Sequence, residues 1–418
     1  MNKLQTVQTA APQKAGPSPA KSLGNEHNVK PHQAEFDLGI VGGGPTGSAL
    51  ALLLARLAPK PARIVLFQSE TTTRWNIASH EDNRVIALNE GTRVLFDDLD
   101  VWPNDATPIE TIHVSQRGRL GRTLITRDEF KVPALGYVVR YSSLHTRLLQ
   151  AAQQAGVTVI QGKASSVMQE GDSVSIRTEG EQHNHARVAL AVRADGMNHG
   201  GPPDQFRQVA LLGQAWVTQP KPGWAYERFT RGGPFAVLPH PDGDGSQSIV
   251  WCCEPDHAAS IQAMGLPELQ DAMGEAFGDR LGRFIVKEPL KGYPLYQSLD
   301  PKPVNGRIVN IGNAAQTLHP VAGQGLNLGI RDVATLAHCL RDWIAYPHRD
   351  PSRTLGIYQT LRARDRQVTV KLTDLMSRAF TSGWAPLEHA LGLGLWALDA
   401  IEPLRAPLAR HLMQGLRQ

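Results

Sequence analysis

Phe36-Asp37-Leu38-Gly39-Ile40-Val41-Gly42-Gly43-Gly44-Pro45-Thr46-Gly47 is the stretch that decides the fold. A short apolar run of strand type ends in a glycine cluster, and a helical pattern follows from Ser48 through Leu57, stopped by Pro59 and Pro61. Arg63-Ile64-Val65-Leu66-Phe67 then supplies a second strand, so strand, glycine turn, helix and strand come in the order of a βαβ unit. Glycines at 42, 44 and 47 have the Gly-x-Gly-x-x-Gly spacing: the first for the tight turn, the second for close approach of a pyrophosphate, the third for packing helix on strand. A pyrophosphate would sit on the helix N-terminus, where unpaired N–H groups and the dipole favour negative charge. Glycine-rich turns are common, and it is the placement between strand and helix that makes Gly42, Gly44, Pro45 and Gly47 nucleotide contacts. Where such folds carry an acid for the ribose hydroxyls, this chain has Gln68, with Glu70 two residues on. A neutral amide also bonds hydroxyls; the rival reading of Gln68 is a plain surface residue.

Working outward, the 418 residues suit two interleaved domains, each able to bury its own core. Hydrophobic residues at 41% and charged residues at 20% are globular values, and 43 Lys and Arg against 39 Asp and Glu are too even for a dedicated nucleic-acid binder. The adjacent Cys252-Cys253 and the distant Cys339 form neither a disulfide framework nor a metal spacing, which points to a reducing compartment. No apolar run has transmembrane length and no signal-peptide core opens the chain, so a cytoplasmic protein is expected.

Residues 1–35 are rich in Ala, Pro, Gln, Lys and Ser and read as a disordered leader; the rival, a transit peptide, lacks Arg and an amphipathic period. Strand-like runs at Val209–Val217, Phe235–Leu238 and Ser248–Cys252, separated by Pro and Gly turns, read as an inserted antiparallel sheet. The βαβ texture returns at Arg307–Ile311, with a glycine-rich loop and a helix from Gly325 to about Trp343. The expected architecture is α/β: a discontinuous Rossmann-like domain from 36–207 and 290–380, a substrate domain at 208–289, and a helical C-terminal segment at 381–418 that either docks as a bundle or touches membrane.

Three further stretches carry chemistry-bearing residues. They are Asp82-Asn83-Arg84-Val85-Ile86-Ala87-Leu88, then Ala194-Asp195-Gly196 after the apolar Val188–Val192, then Gly312-Asn313-Ala314-Ala315-Gln316-Thr317-Leu318-His319-Pro320, continuing to Gly323-Gln324-Gly325-Leu326-Asn327-Leu328-Gly329 and Arg331-Asp332. With the first glycine turn they give the chain, from about residue 36 to near its end, a pattern that resembles the flavin monooxygenases related to para-hydroxybenzoate hydroxylase. The resemblance implies FAD as the cofactor. It lays Arg84 along the FAD and implies that Asp195 and Gly196 meet both FAD and the nicotinamide donor, although the family's Ser and Arg are missing from Met197-Asn198-His199-Gly200-Gly201. It puts Gly312 and Asn313 on the ribityl chain, with Asn where most members have Asp; Asn keeps the hydrogen-bonding capacity and loses the charge. Backbone N–H groups around Gly323, Gly325, Leu326 and Asn327 would face the flavin pyrimidine edge, where negative charge develops on reduction. Arg140, in Val138-Val139-Arg140, is a further phosphate or ribityl candidate; it and Arg84 also read as solvated surface cations. His319 and Pro320 are the catalytic candidates nearest the flavin ring, with fixing of the loop by a hydrogen bond as the plainer role for His319.

Within that family, Thr111-Ile112-His113-Val114-Ser115, Tyr226-Glu227-Arg228-Phe229-Thr230, Gly233-Pro234, Leu238-Pro239, Val250-Trp251-Cys252 and the Asn313–Pro320 run look like the ubiquinone-pathway hydroxylases of polyprenyl methoxyphenols. This branch implies that NAD(P)H reduces the FAD and that one atom of O2 goes to an electron-rich, lipid-tailed phenol through an apolar tunnel. It also implies peripheral contact with the inner membrane and with other ubiquinone-biosynthesis proteins. Two rivals stand beside it: a hydroxylase of small soluble phenols, and a flavin-binding or flavin-free scaffold, suggested by Gln68, Asn313 and the altered tail after Asp195. A yellow protein bleached by NAD(P)H and reoxidised by air is an enzyme; a colourless one leans toward scaffold.

Overall fold

The computed structural model describes residues 35–69, 84–118, 121–179, 185–197, 204–320, 323–379 and Gly394. The expected leader before Glu35, Glu70, the stretch 198–201 and, Gly394 apart, the C-terminal segment 381–418 lie outside the described residues.

The chain opens with β1 (Phe36–Val41), α1 (Pro45–Ala55) and β2 (Ile64–Gln68), then β3 (Val85–Asn89), α2 (Glu90–Asp98), β4 (Thr107–Ile109), β5 (Thr111–Gln116) and β6 (Arg122–Thr126). It continues through α3 (Arg127–Phe130), β7 (Gly136–Arg140), α4 (Tyr141–Gln154), β8 (Thr158–Gln161), β9 (Ala164–Glu170), β10 (Ser173–Thr178) and β11 (His185–Arg193). The middle holds β12 (Asp204–Val217), β13 (Trp224–Thr230), β14 (Gly233–Pro239), β15 (Gln247–Cys253), α5 (Pro255–Gln262) and α6 (Leu266–Phe277). Last come β16 (Phe284–Ile285), β17 (Lys291–Leu299), β18 (Val304–Asn305), β19 (Ile308–Asn310), β20 (Gln316–Thr317), α7 (Gln324–Leu340) and α8 (Ser352–Ala379).

Among the described residues the strands build three sheets. The first runs β18-β19-β11-β1-β2-β8, with β10 on β11 and β9 on β10. Its central pairs, β11 with β1 and β1 with β2, are parallel. Parallel strands are covered on both faces, which is why Leu38, Ile40, Ile64–Phe67 and Leu190–Val192 are continuous buried apolar runs. Leu50, Leu54, Leu144, Leu148, Val333 and Leu336 from α1, α4 and α7 close one core over it. Helix α1 begins at Pro45, earlier than the expected Ser48. Proline suits the first helical position, where its fixed φ is helical and its missing N–H is a donor that the helix start leaves unpaired anyway.

The second sheet runs β20-β17-β12-β15-β14-β13-β5-β6, with β16 on β12. The pairs from β17 to β13 are antiparallel and β13–β5 is parallel. It extends past the limits 208 and 289 given for the middle domain, because β5 and β6 join it from before and β17 from after. One face is packed under α5 and α6 by Leu211, Phe235, Trp251, Met273 and Phe277. The rings of Phe235 and Trp251 stack at 4.8 Å. A third, three-stranded sheet, β3-β7-β4, lies between.

Candidate functional site

The first glycine turn is held from several sides. Gly42 has φ of +107°, and a Cβ there would stand 2.6 Å from backbone atoms of Ala194 and Asp195, so only glycine lets β1 end this close to the Asp195 segment. The Gly42 N–H donates to Phe67 O at the end of β2, and Ala194 N–H to Val41 O. The Gly43 carbonyl accepts from Ser48 Oγ at 2.8 Å and from His145 Nε2 at 2.9 Å. Tyr141 and His145, one turn apart on α4, stack beside it. At Gly47 a Cβ would overlap the Gly42 carbonyl oxygen, which is the close helix-on-turn packing expected of the third glycine.

Gly44 differs. A Cβ there would meet only the Tyr141 hydroxyl, at 3.6 Å, so among the described residues the space in front of it is open. Gly44 caps α1 without a side-chain bond, leaving the first N–H groups of the helix facing that space. The buried Oε1 of Gln68, beside Gly43, has no hydrogen-bond partner among the described residues. A buried acceptor without a partner costs about 1–3 kcal/mol, which a ribose hydroxyl would relieve. Arg84 lies over the Tyr141 ring, 4.7 Å from its centre. Asp195 is half-buried and its Oδ1 accepts from Met197 N–H.

The second glycine loop meets the first turn directly. Gly312, at φ +58°, and Gly329 on α7 both approach Thr46, where added Cβ atoms would come within 3.2 Å of its side chain. Asn313 is exposed and Gly325 faces open space, while Gly323, at φ +60°, caps α7 without a side-chain bond. Two uncapped helix N-termini, of α1 and α7, thus lie on either side of one Gly312–Thr46 contact. An open cradle at Gly44, an unpartnered amide at Gln68, an exposed Asn313 and two positive helix ends together fit a dinucleotide with a flavin head.

Three of the expected contacts are engaged by protein groups. Asn327 is buried, and protein engages its amide: Nδ2 donates to Ala87 O and Gly323 O, and Oδ1 accepts from Asn89 N and Thr92 Oγ1. It fastens the start of α7 to β3 and α2. Arg140 pairs with Asp105 at 2.7 Å and with Asp242, so its charge ties the third sheet to the β14–β15 turn. His319 is 1% exposed and its Nε2 lies 2.8 Å from Gln208 Oε1 on β12, joining the second glycine loop to the second sheet; Pro320 beside it is half-buried.

The sequence reading passed over what stands behind this loop. Asp332, fully buried, accepts from Gly312 N–H at 3.0 Å, Gln316 Nε2 at 2.6 Å and Arg362 Nε at 2.7 Å. Arg362 also donates to Asp365, and Arg366 to the carbonyls of Asp300 and Ala315. Burial works against the Arg362 charge, but Asp332 and Asp365 outweigh it and its pKa is raised. Asp332 stood inside a quoted motif, yet its partners on α8 carry no local signal. Gln208 and His145 were missed for the same reason. Among the described residues no group of His, Cys, Asp and Glu is arranged to hold a metal.

The fold defines the class: an α/β protein whose first glycine turn has the form of a dinucleotide site, met by a second glycine loop at Thr46. The family model for the FAD binding domain matches residues 35–364, and the chain belongs to that family. The chain is 30% identical to the ubiquinone hydroxylase UbiL of Rhodospirillum rubrum, over 91% of this chain and 90% of that one. It is 28% identical to the 3-demethoxyubiquinol 3-hydroxylase of Escherichia coli K12, over 90% and 98%. The structure of p-nitrophenol 4-monooxygenase PnpA from Pseudomonas putida shares the fold at a TM-score of 0.68 and 16% identity, covering 92% and 99%. This protein is an FAD-dependent monooxygenase.

Proposed function

We propose that this monooxygenase hydroxylates the ring of a lipid-tailed phenol, a polyprenyl methoxyphenol of ubiquinone biosynthesis, using NAD(P)H and O2. The observation that carries the reading is the apolar face of the second sheet on the side of Gln208 and His319. In register there, Ala210 lies opposite Tyr293 and Cys252, Leu212 opposite Val250, and Ala236 opposite Val250. Residues directly opposite share a face, so Ala210, Leu212, Ala236, Val250 and Cys252 make an apolar run there, beside Lys291 opposite Leu212 and Glu227 opposite Ala236. It suits a prenyl chain better than a small polar phenol.

FAD, when bound, supplies the oxygen-transfer chemistry. The chain's own residues hold and orient. Gly42, Gly44, Pro45 and Gly47 would cradle the pyrophosphate on α1, Gln68 the ribose, and Arg84, Asp195 and Gly196 the flanks. Gly312 and Asn313 would bond the ribityl chain, and the α7 start at Gly323, Gly325 and Leu326 the pyrimidine edge. Arg140 and Asn327 act as positioning residues. His319, held by Gln208, and Pro320 wall the flavin side of the ring pocket and keep water out. Residues 208–289 with their recruited strands form the substrate part and the first sheet the FAD part. No helix among the described residues is long and apolar enough to cross a membrane, so a prenylated substrate calls for peripheral membrane contact.

The test is to give the purified flavoprotein NAD(P)H, labelled dioxygen and either a prenylated methoxyphenol or its short-chain analogue. One labelled oxygen in the prenylated product, with kcat/KM well above that of the analogue, is expected. Equal kcat/KM for a small soluble phenol overturns the lipid-tail reading, and a flavin that NAD(P)H does not bleach overturns the enzyme reading.

A further inference from the structure

Four arginines gather on the second sheet, on the face that turns away from His319. Arg228 is two residues from Tyr226, which packs with the α6 core, so both look toward α6. Ser115 on β5 stands in register between Arg228 on β13 and Arg122 on the edge strand β6. Arg228 Nη1 donates to Ser115 Oγ at 3.2 Å. Arg280, in the turn after α6, donates from Nη1 to His113 Nε2 at 2.8 Å. Gly278 of that turn lies against Arg228, since a Cβ there would be 3.5 Å from Nη2. Arg117, at the end of β5, is the fourth cation.

Among the described residues no carboxylate pairs with Arg117, Arg122, Arg228 or Arg280, and Arg228 Nε is buried without a partner. The crowding is felt: burial lowers the Arg228 pKa, and the charges of Arg280 and Arg117 lower it further. Because arginine only donates, His113 receives at Nε2 and is a neutral ring, pushed down to about 4 by burial and then by Arg280, Arg122 and Arg228. Like charges repel, so an arrangement that collects them is stabilised by an anion of high charge. Guanidinium forks fit an oxyanion in two-pronged contacts, and Ser115, accepting from Arg228, still has its hydroxyl hydrogen to donate.

We propose that Arg122, Arg228 and Arg280, with Ser115 beneath them, form a binding site for a phosphate group, separate from the flavin site. A phosphate ester presents several oxygens and more than one charge where a carboxylate presents two oxygens and one. The ester belongs either to a soluble ligand or to an anionic lipid headgroup, and the two are separable by experiment.

Inorganic phosphate is titrated into the full-length holoprotein by calorimetry, with chloride at matched ionic strength as control. The His113 ring signal is followed by NMR in parallel. The charged and titratable neighbours of that ring are Arg280, Arg122, Arg228 and Tyr226, so neutralising the arginines raises the pKa of His113. Saturable phosphate binding with that rise is expected. Arg122→Gln and Arg280→Gln, both at exposed positions, each weaken binding by about tenfold or more, while Arg177→Gln on β10 does not. Binding to phosphatidylglycerol vesicles but not phosphatidylcholine vesicles, lost in the same variants, assigns the phosphate to a lipid; phosphate binding without vesicle binding assigns it to a soluble ester. Equal effects of chloride, or full binding by the Arg122→Gln/Arg280→Gln double variant, overturn the proposal.

Discussion

Nε2 of His319 and Oε1 of Gln208 are 2.8 Å apart, and this bond joins the loop that follows Asn313 to the sheet that forms the floor of the proposed substrate pocket. Gln208→Leu removes the acceptor of a buried N–H, at about 1–3 kcal/mol, or roughly 5- to 150-fold. The expected result is a fall of that size in kcat/KM for the phenol at unchanged flavin content, with Gln208→Glu recovering most of it. Parental kcat/KM in Gln208→Leu sinks the link between this bond and catalysis.

Gly44 and Gly47 separate cofactor contact from folding. Among the described residues Gly44→Val meets only the Tyr141 hydroxyl, at ordinary contact distance, so it should keep its melting temperature and lose flavin absorbance, since the added side chain stands where the pyrophosphate approaches. Gly47→Val drives into the Gly42 carbonyl and should fail to fold or melt far lower. Full FAD occupancy in folded Gly44→Val would falsify the pyrophosphate assignment.

Asn313 tests the second loop. Its side chain is exposed, so Asn313→Leu should fold normally yet bind FAD about 5- to 150-fold more weakly, while Asn313→Asp retains it. Fluorescence titration of the stripped protein with FAD measures both. Unaltered affinity in Asn313→Leu removes this loop from the cofactor.

Arg362 sits between Asp332 and Asp365, all three nearly or fully buried. Arg362→Met leaves buried Asp332 without its cation and Asp365 with Arg331 alone, and should cost about 3–5 kcal/mol in denaturant unfolding. A loss below about 1 kcal/mol would show that the network is dispensable behind the Gly312 loop.

His113 gives a pH dependence with a definite sign. Its folded pKa is about 4 against 6.5 for the free side chain, so between these values the unfolded state binds more protons. The contribution is therefore fully present above pH 6.5 and is lost as pH falls toward 4, on the order of 2–3 kcal/mol in all. His113→Gln keeps an acceptor for Arg280 and should flatten the stability profile in that window relative to the parent. Superimposable profiles of parent and variant count against a buried neutral ring.

What could be read from the chain was what is local. The βαβ opening, the β12, β14 and β15 runs and both glycine loops follow from residue spacing over a few turns, and the structure has each where it was expected. Membership of β5 and β6 in the second sheet could not be read, because their alternation is the same whichever sheet they join. Asn327 and Arg140 show the same limit on side chains. Both types suit a cofactor, but the groups that engage them, Asn89 and Thr92 in one case and Asp105 and Asp242 in the other, lie far away in sequence. Gln208 and Arg362 went unnoticed because nothing near them announces a partner.

Asn89 and Asn327 are 238 positions apart, yet one hydrogen bond sets the start of α7 against β3. The parallel pair β11–β19 likewise waits on residues 308–310. During synthesis the first glycine turn leaves the ribosome long before the segments that complete its surroundings. Closing such distant pairs is slow and entropically costly. Flavin loading is accordingly expected late in this protein's biogenesis, and a nascent chain stalled before α7 should carry a βαβ unit that cannot retain the cofactor.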